Sequence, residues 1–165
     1  MAIKKIILIG DPLLRKKCVR VNDFNAPQVK KIKSGLKSTL HHLQKIHKKG
    51  GGLAAPQIGY LKKVIYINAK GRSFFLINPK ITYASKKMFN VWDFCFSGNA
   101  AFTAQIKRHW KITVEYDDEN GQKQEEDFEG YFSELLQHEI DHIEGRLFID
   151  LIKDPSKIKM IDHLV

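Results

Sequence analysis

Residues 131–144 read Tyr131-Phe132-Ser133-Glu134-Leu135-Leu136-Gln137-His138-Glu139-Ile140-Asp141-His142-Ile143-Glu144. The spacing of their apolar side chains decides how the rest of the chain is understood. Phe132, Leu136, Ile140 and Ile143 recur every three or four positions, the period of an α-helix with one buried stripe. Leu135, His138 and His142 fall on a neighbouring face, where two imidazoles four residues apart lie above one another with Glu139 beside the first. Such a pair can grip a divalent metal, and the carboxylate can then handle the protons of an activated water. HExxH spacing also arises by chance, so the helix alone leaves two surface histidines as an equal alternative. Gly145 suits the position just beyond the helix end, where a left-handed residue is favoured.

Ahead of this helix, Trp110-Lys111-Ile112-Thr113-Val114-Glu115-Tyr116 alternates apolar and polar residues, and Asn120-Gly121 supplies a turn into the polar stretch Gln122 to Phe128. That pattern predicts a β-hairpin. Further strand signals lie at Val64 to Ile67 and Phe74 to Ile77, and a short apolar stretch at Ile6 to Ile9. The Asn25-Ala26-Pro27 turn opens an amphipathic helix through Val29, Ile32, Leu36, Leu40, Leu43 and Ile46. It stops at Gly50-Gly51-Gly52, where helix propensity vanishes and the backbone can approach another chain closely. The elements predict an α+β fold, mostly antiparallel sheets packed around a central helix that carries the HExxH metal motif. With 165 residues, 43% of them hydrophobic, and neither repeat nor linker, one domain over residues 1–165 is expected.

The net charge of +10 suits RNA, an acidic membrane surface or another anionic partner without choosing among them. Much of it comes from Lys30, Lys31, Lys33, Lys37, Lys45, Lys48 and Lys49 on the polar side of the first helix, and a solvated lysine face is the simpler reading. The apolar run at the start is too short for a signal peptide before Asp11-Pro12 intervenes, and no apolar stretch approaches 18 residues, so a cytoplasmic protein without a membrane partner is expected. Cys18 and Cys95 are too few for a disulfide scaffold, which suits a reducing compartment.

Two helical histidines leave a tetrahedral ion short of a third protein ligand: a carboxylate, another histidine or a thiolate. Cys95, in Trp92-Asp93-Phe94-Cys95-Phe96-Ser97, is the favoured candidate, because a thiolate there would be shielded by aromatic rings and stabilised by the cation. Taken alone, one apolar-flanked cysteine is more often a buried, inert thiol. A mixed sulfur and nitrogen set accepts Zn2+, Co2+, Ni2+ and Fe2+.

Three motifs follow one another along the chain: Gly50-Gly51-Gly52-Leu53-Ala54-Ala55-Pro56-Gln57, then Cys95-Phe96-Ser97, then Gln137 to His142. In that order they resemble the peptide deformylases, as do Asp11-Pro12-Leu13-Leu14-Arg15, Leu76-Ile77-Asn78-Pro79 and Glu144-Gly145-Arg146-Leu147-Phe148-Ile149-Asp150. The resemblance implies a hydrolase that removes the N-formyl group from the N-terminal methionine of nascent polypeptides. It further implies one divalent ion, natively Fe2+, on Cys95, His138 and His142, with a fourth position for water. Glu139 would take the water proton and return it to the leaving amine. The oxyanion would be met by the Gln57 side-chain amide and the Phe96 backbone N–H. By the same resemblance Gly50, Gly51, Gly52 and Leu53 would lie along a formyl-methionyl peptide. Its methionine would enter a pocket near Gly51, Val91, Tyr131, Leu135 and His138. A monomer is expected, with ribosome contact through the basic surface.

Two departures stand out against the family's usual Glu-Gly-Cys-Leu-Ser. Asp93 keeps the charge on a shorter stem, with Lys107 or Arg108 as a partner, and Phe94 replaces a glycine beside the peptide channel, where positive φ would strain it. Glu134, one turn before His138, stands where the family tends to place an apolar residue. It could repel methionine, favour a basic group or swing to solvent. These changes open an alternative, a deformylase-like paralogue with another small formyl or amide substrate, or with the activity lost. A basic RNA-binding domain with a structural metal is a third reading, but it has no need of Glu139 and Gln57.

Overall fold

In the computed structural model, which describes residues 2–161, the first long helix is α1 (Pro27–His47). Pro27 opens it with a preset φ and no wasted N–H, and Lys48 ends it in the left-handed region. Val29, Ile32, Leu36 and Leu40 form the buried stripe, and small Gly35 and Thr39 complete it. Ile46, expected in that stripe, is exposed instead. At 100° per residue it has drifted to the stripe's margin, beyond what the sheet beneath covers.

The strands in chain order are β1 (Gly52–Ala54), β2 (Val64–Ala69), β3 (Arg72–Ala84), β4 (Met88–Phe94), β5 (Phe102–His109), β6 (Lys111–Asp117), β7 (Lys123–Glu129) and β8 (Ile158–Met160), with the second helix, α2 (Tyr131–Ile143), between the last two. One antiparallel sheet has the order β1-β2-β3-β6-β7, and a second has the order β4-β5-β8. Along β2 successive side chains face opposite ways: Val64 and Tyr66 pack with Ile32, Leu36 and Leu40 of α1, while Ile65 and Ile67 pack with Leu136, Ile140 and Ile143 of α2. A strand buried on both faces reads as a continuous apolar run, which is how Val64 to Ile67 looks. The five-stranded sheet therefore separates the two helices.

On its other side α2 meets β5. There a smaller apolar cluster of Val91, Cys95, Ala104, Ile106 and Phe148 closes the layer. The second helix is thus central between the sheets, as expected, and the hairpin β6–β7 closes over 118–122 with Gly121 at φ +83°. The apolar Ile6 to Ile9 stretch forms no strand of a sheet. It laces two site loops together, Ile7 N–H donating to the Gln57 carbonyl and Ile9 N–H to that of Ser97, each at 2.8 Å.

Candidate metal centre

Two elements deliver the three donor atoms. Cys95 lies just past the end of β4, and α2 presents His138 and His142 from successive turns. The sulfur and one ring nitrogen from each histidine all lie within 4.8 Å of one another, and all three residues are buried. His142 Nε2 is 3.2 Å from Cys95 Sγ. The sulfur also accepts from the Ser97 backbone N–H at 3.3 Å and from Gln57 Nε2 at 3.4 Å. Those donors fix the sulfur beside the two imidazoles. A soft sulfur with two imidazoles suits a borderline divalent cation, and the residues present fit the ion that the sequence implies.

His138 is oriented from behind. Its Nδ1 lies 2.8 Å from Asp93 Oδ1, which leaves Nε2 for the centre. Asp93 in turn accepts from Arg108 at 3.0 Å through Oδ2, and Arg108 also meets Asp141, which accepts from Arg146 Nε at 2.8 Å. Burial opposes charge on Asp93, yet His138 and Arg108 outweigh it and hold the carboxyl below the usual range. Burial likewise opposes protonation of His138, and the charges of Asp93 and Cys95 outweigh it, so its pKa lies well above normal. His142, buried and beside His138, is held well below. Of the two partners foreseen for Asp93, strand alternation selects Arg108 and leaves Lys107 exposed.

Glu139 is buried, and among the described residues its Oε2 has no hydrogen-bond partner. Burial pushes its carboxyl up to about 7, with His138 opposing and Asp93 adding to the shift. A group that changes protonation near neutrality is matched to proton transfer. Gly52 makes room for it, since a methyl there would fall 2.6 Å from Glu139 Oε1. Gln57 is held by its own oxygen, which accepts from Ala54 N–H at 2.9 Å, so Nε2 points at Cys95 and at Ser97 Oγ 3.3 Å away. Phe96 opens the short 3-10 turn Phe96–Gly98 beside the sulfur. Its ring presses on Gly50, whose φ is +89° and where a methyl would overlap that ring.

These groups line a cavity of about 520 Å³, whose wall also includes Gly51, Lys49, Lys70, Trp92, Phe94, Tyr131, Glu134 and Leu135. Two of the pocket residues expected from sequence are absent from that wall. Leu53 is fully buried in the cluster beneath α1, and Val91 packs in the cluster around Cys95, Ile106 and Phe148. Strand alternation turns each away from the cavity, whereas Gly52, Trp92 and Phe94 beside them do line it. His142 sits behind the cavity, 1% exposed. Phe94 lies within β4 rather than at positive φ, so the bulky residue is unstrained there. Glu134 has not swung free into solvent: it is half-buried on the wall, and burial together with Asp93 lifts its carboxyl to about 7. Ser97 and Asp141 were not assigned to the site from sequence, and Arg108 was foreseen only as one of two partners for Asp93. The one available hint was a charged Asp141 within an otherwise inward-facing turn of α2.

A family model described as polypeptide deformylase matches residues 3–157. A peptide deformylase of Pseudothermotoga lettingae is 36% identical over 163 residues, covering 99% of this chain and 91% of that protein. One of Desulfitobacterium hafniense is 37% identical over 157 residues, covering 95% and 99%. A crystal structure of a peptide deformylase from Legionella pneumophila superposes with a TM-score of 0.84 at 32% identity, covering 94% of this chain and 89% of that one.

Proposed function

The chain belongs to the peptide deformylase family, and from that premise we propose how its own residues remove the N-formyl group from the N-terminal methionine of nascent polypeptides. A divalent ion held by Cys95, His138 and His142 would supply Lewis-acid activation of water and of the formyl oxygen. Glu139 accepts the water proton as the oxygen adds to the formyl carbon. When the C–N bond breaks, it returns that proton to the amine, and formate leaves. Gln57 Nε2 and the Phe96 backbone N–H meet the negative charge that develops on the formyl oxygen, and one such donor contributes roughly 3 kcal/mol in comparable sites. Gly50 to Gly52 lie along the extended peptide, and its methionine enters the cavity against Tyr131, Leu135 and His138.

The observation that carries this reading is convergence. A buried carboxyl with an unpartnered oxygen, an amide fixed by its own oxygen and a donor set fit for a metal all meet at one cavity. A structural metal site requires neither Glu139 nor Gln57. Incubating the metal-loaded protein with formyl-Met-Ala-Ser should release formate. Absence of turnover with iron, nickel, cobalt and zinc in separate preparations would overturn the proposal. We take Fe2+ as the native ion and the chain as a single-domain cytoplasmic monomer, with ribosome contact through its basic surface.

A further inference from the structure

Two lysines on the cavity wall have no part in the chemistry above. Lys49 Nζ lies 5.1 Å from the ring centroid of Phe94, and Lys70 Nζ lies 5.0 Å from that of Tyr131. Both rings line the same cavity, and Tyr131 is 39% exposed, so the two ammonium groups stand at its mouth. An ammonium resting on a ring face is positioned by that face while its outward N–H bonds stay open to an anion. Among the described residues neither lysine forms an ion pair with a carboxylate.

The segment that carries them is free of acids. Between Asp23 and Asp93 the sequence contains no acidic residue, so the wall drawn from residues 44–70 carries only cations and neutral groups. Acids on the wall come from elsewhere, and each is accounted for. Asp93 is tied to Arg108 and His138, Glu139 is buried at the reacting centre, and Glu134, lifted to about 7, is only partly ionised near neutrality. A formylated peptide lacks a terminal ammonium, so its first charges are those of the side chains after methionine.

We propose that Lys49 and Lys70 select substrates with acidic side chains in the two positions following the formylmethionine. The proposal rests on the deformylase reading and extends it to the class of nascent chain preferred. It also gives Phe94 a use. Where the family's usual motif has glycine, this chain places the ring that carries Lys49.

The test compares kcat/KM for formyl-Met-Asp-Asp-amide and formyl-Met-Lys-Lys-amide with the metal-loaded protein at low salt. A preference of about threefold for each charge met, about tenfold in all, is expected for the acidic peptide. It should shrink toward unity in high salt and in the Lys49→Met, Lys70→Met double variant. Calorimetric binding of the same peptides to Glu139→Gln protein supplies a second readout. No preference in the wild type, a reversed one, or one that the double variant keeps would overturn the proposal. If neither peptide is hydrolysed while the acidic one still binds more tightly, the lysines are upheld and the catalytic reading falls.

Discussion

Glu139 shows at the residue scale how function and stability pull against each other. Its carboxyl lies up to about 7 in the folded protein, against 4.5 normally. Below 4.5 both folded and unfolded chains carry the proton, and burial brings no penalty. As pH rises from there to 7 the unfolded chain releases its proton while the folded one must keep it. Stability of the metal-free protein therefore declines through that window and levels off above it. A shift of this size corresponds to roughly 3 kcal/mol. Glutamine fills the same space without titrating, so metal-free Glu139→Gln should gain about 3 kcal/mol relative to wild type between pH 4 and pH 8. Urea unfolding at both pH values checks this, and a difference that does not change with pH would refute it. The same substitution should lower kcat by about 10²–10⁴-fold, since Glu139 is the group proposed to move the proton.

At the scale of elements, the clamp formed by Asp93, Arg108 and Asp141 joins β4, β5 and α2. The three side chains are only 6%, 4% and 5% exposed. Replacing Arg108 by Met removes the cation that two buried carboxylates share and leaves Asp93 to His138 and Asp141 to Arg146, and breaking such a buried pair from one side costs up to about 3–5 kcal/mol. The urea midpoint should fall accordingly. Because Asp93 also orients His138, metal affinity should fall by about 10–100-fold in the protein that remains folded. An Arg108→Met protein as stable and as tight for metal as wild type would show the clamp to be ornamental. This clamp also explains what the sequence concealed. Helix α2 was legible because its apolar residues keep one period, and β6–β7 because strict alternation meets an Asn-Gly turn. Strands β4 and β5 were not, since their inward faces hold Asp93 and Arg108, which look like surface residues until the distant partner is known. The order of the motifs pointed to Cys95, His138 and His142, the three donors that the fold brings within 4.8 Å of one another. Leu53 and Val91 were misplaced because a strand reverses its facing at every residue, and sequence did not fix the phase.

Across the whole molecule the proposed ion would act as a cross-link between layers. Cys95 directly follows a strand of the three-stranded sheet, His138 and His142 belong to the helix packed beneath the five-stranded one, and the three donors are brought together only by the fold. An unfolded chain holds no such set, so metal should bind the native state selectively and stabilise it by mass action. At a free concentration about 1,000 times Kd that contribution is about 4 kcal/mol. For a chain of this size each kcal/mol moves Tm by about 2–4 °C, so chelation should lower Tm by about 10 °C and added zinc should restore it. In His142→Ala the loss of a ligand should remove most of that response, leaving nearly the same Tm with and without chelator. Calorimetric scans of both proteins decide the matter. If wild type melts at one temperature whether loaded or stripped, the three donors do not share an ion strongly enough to join the sheets, and the site would have to be rebuilt around a different set of ligands.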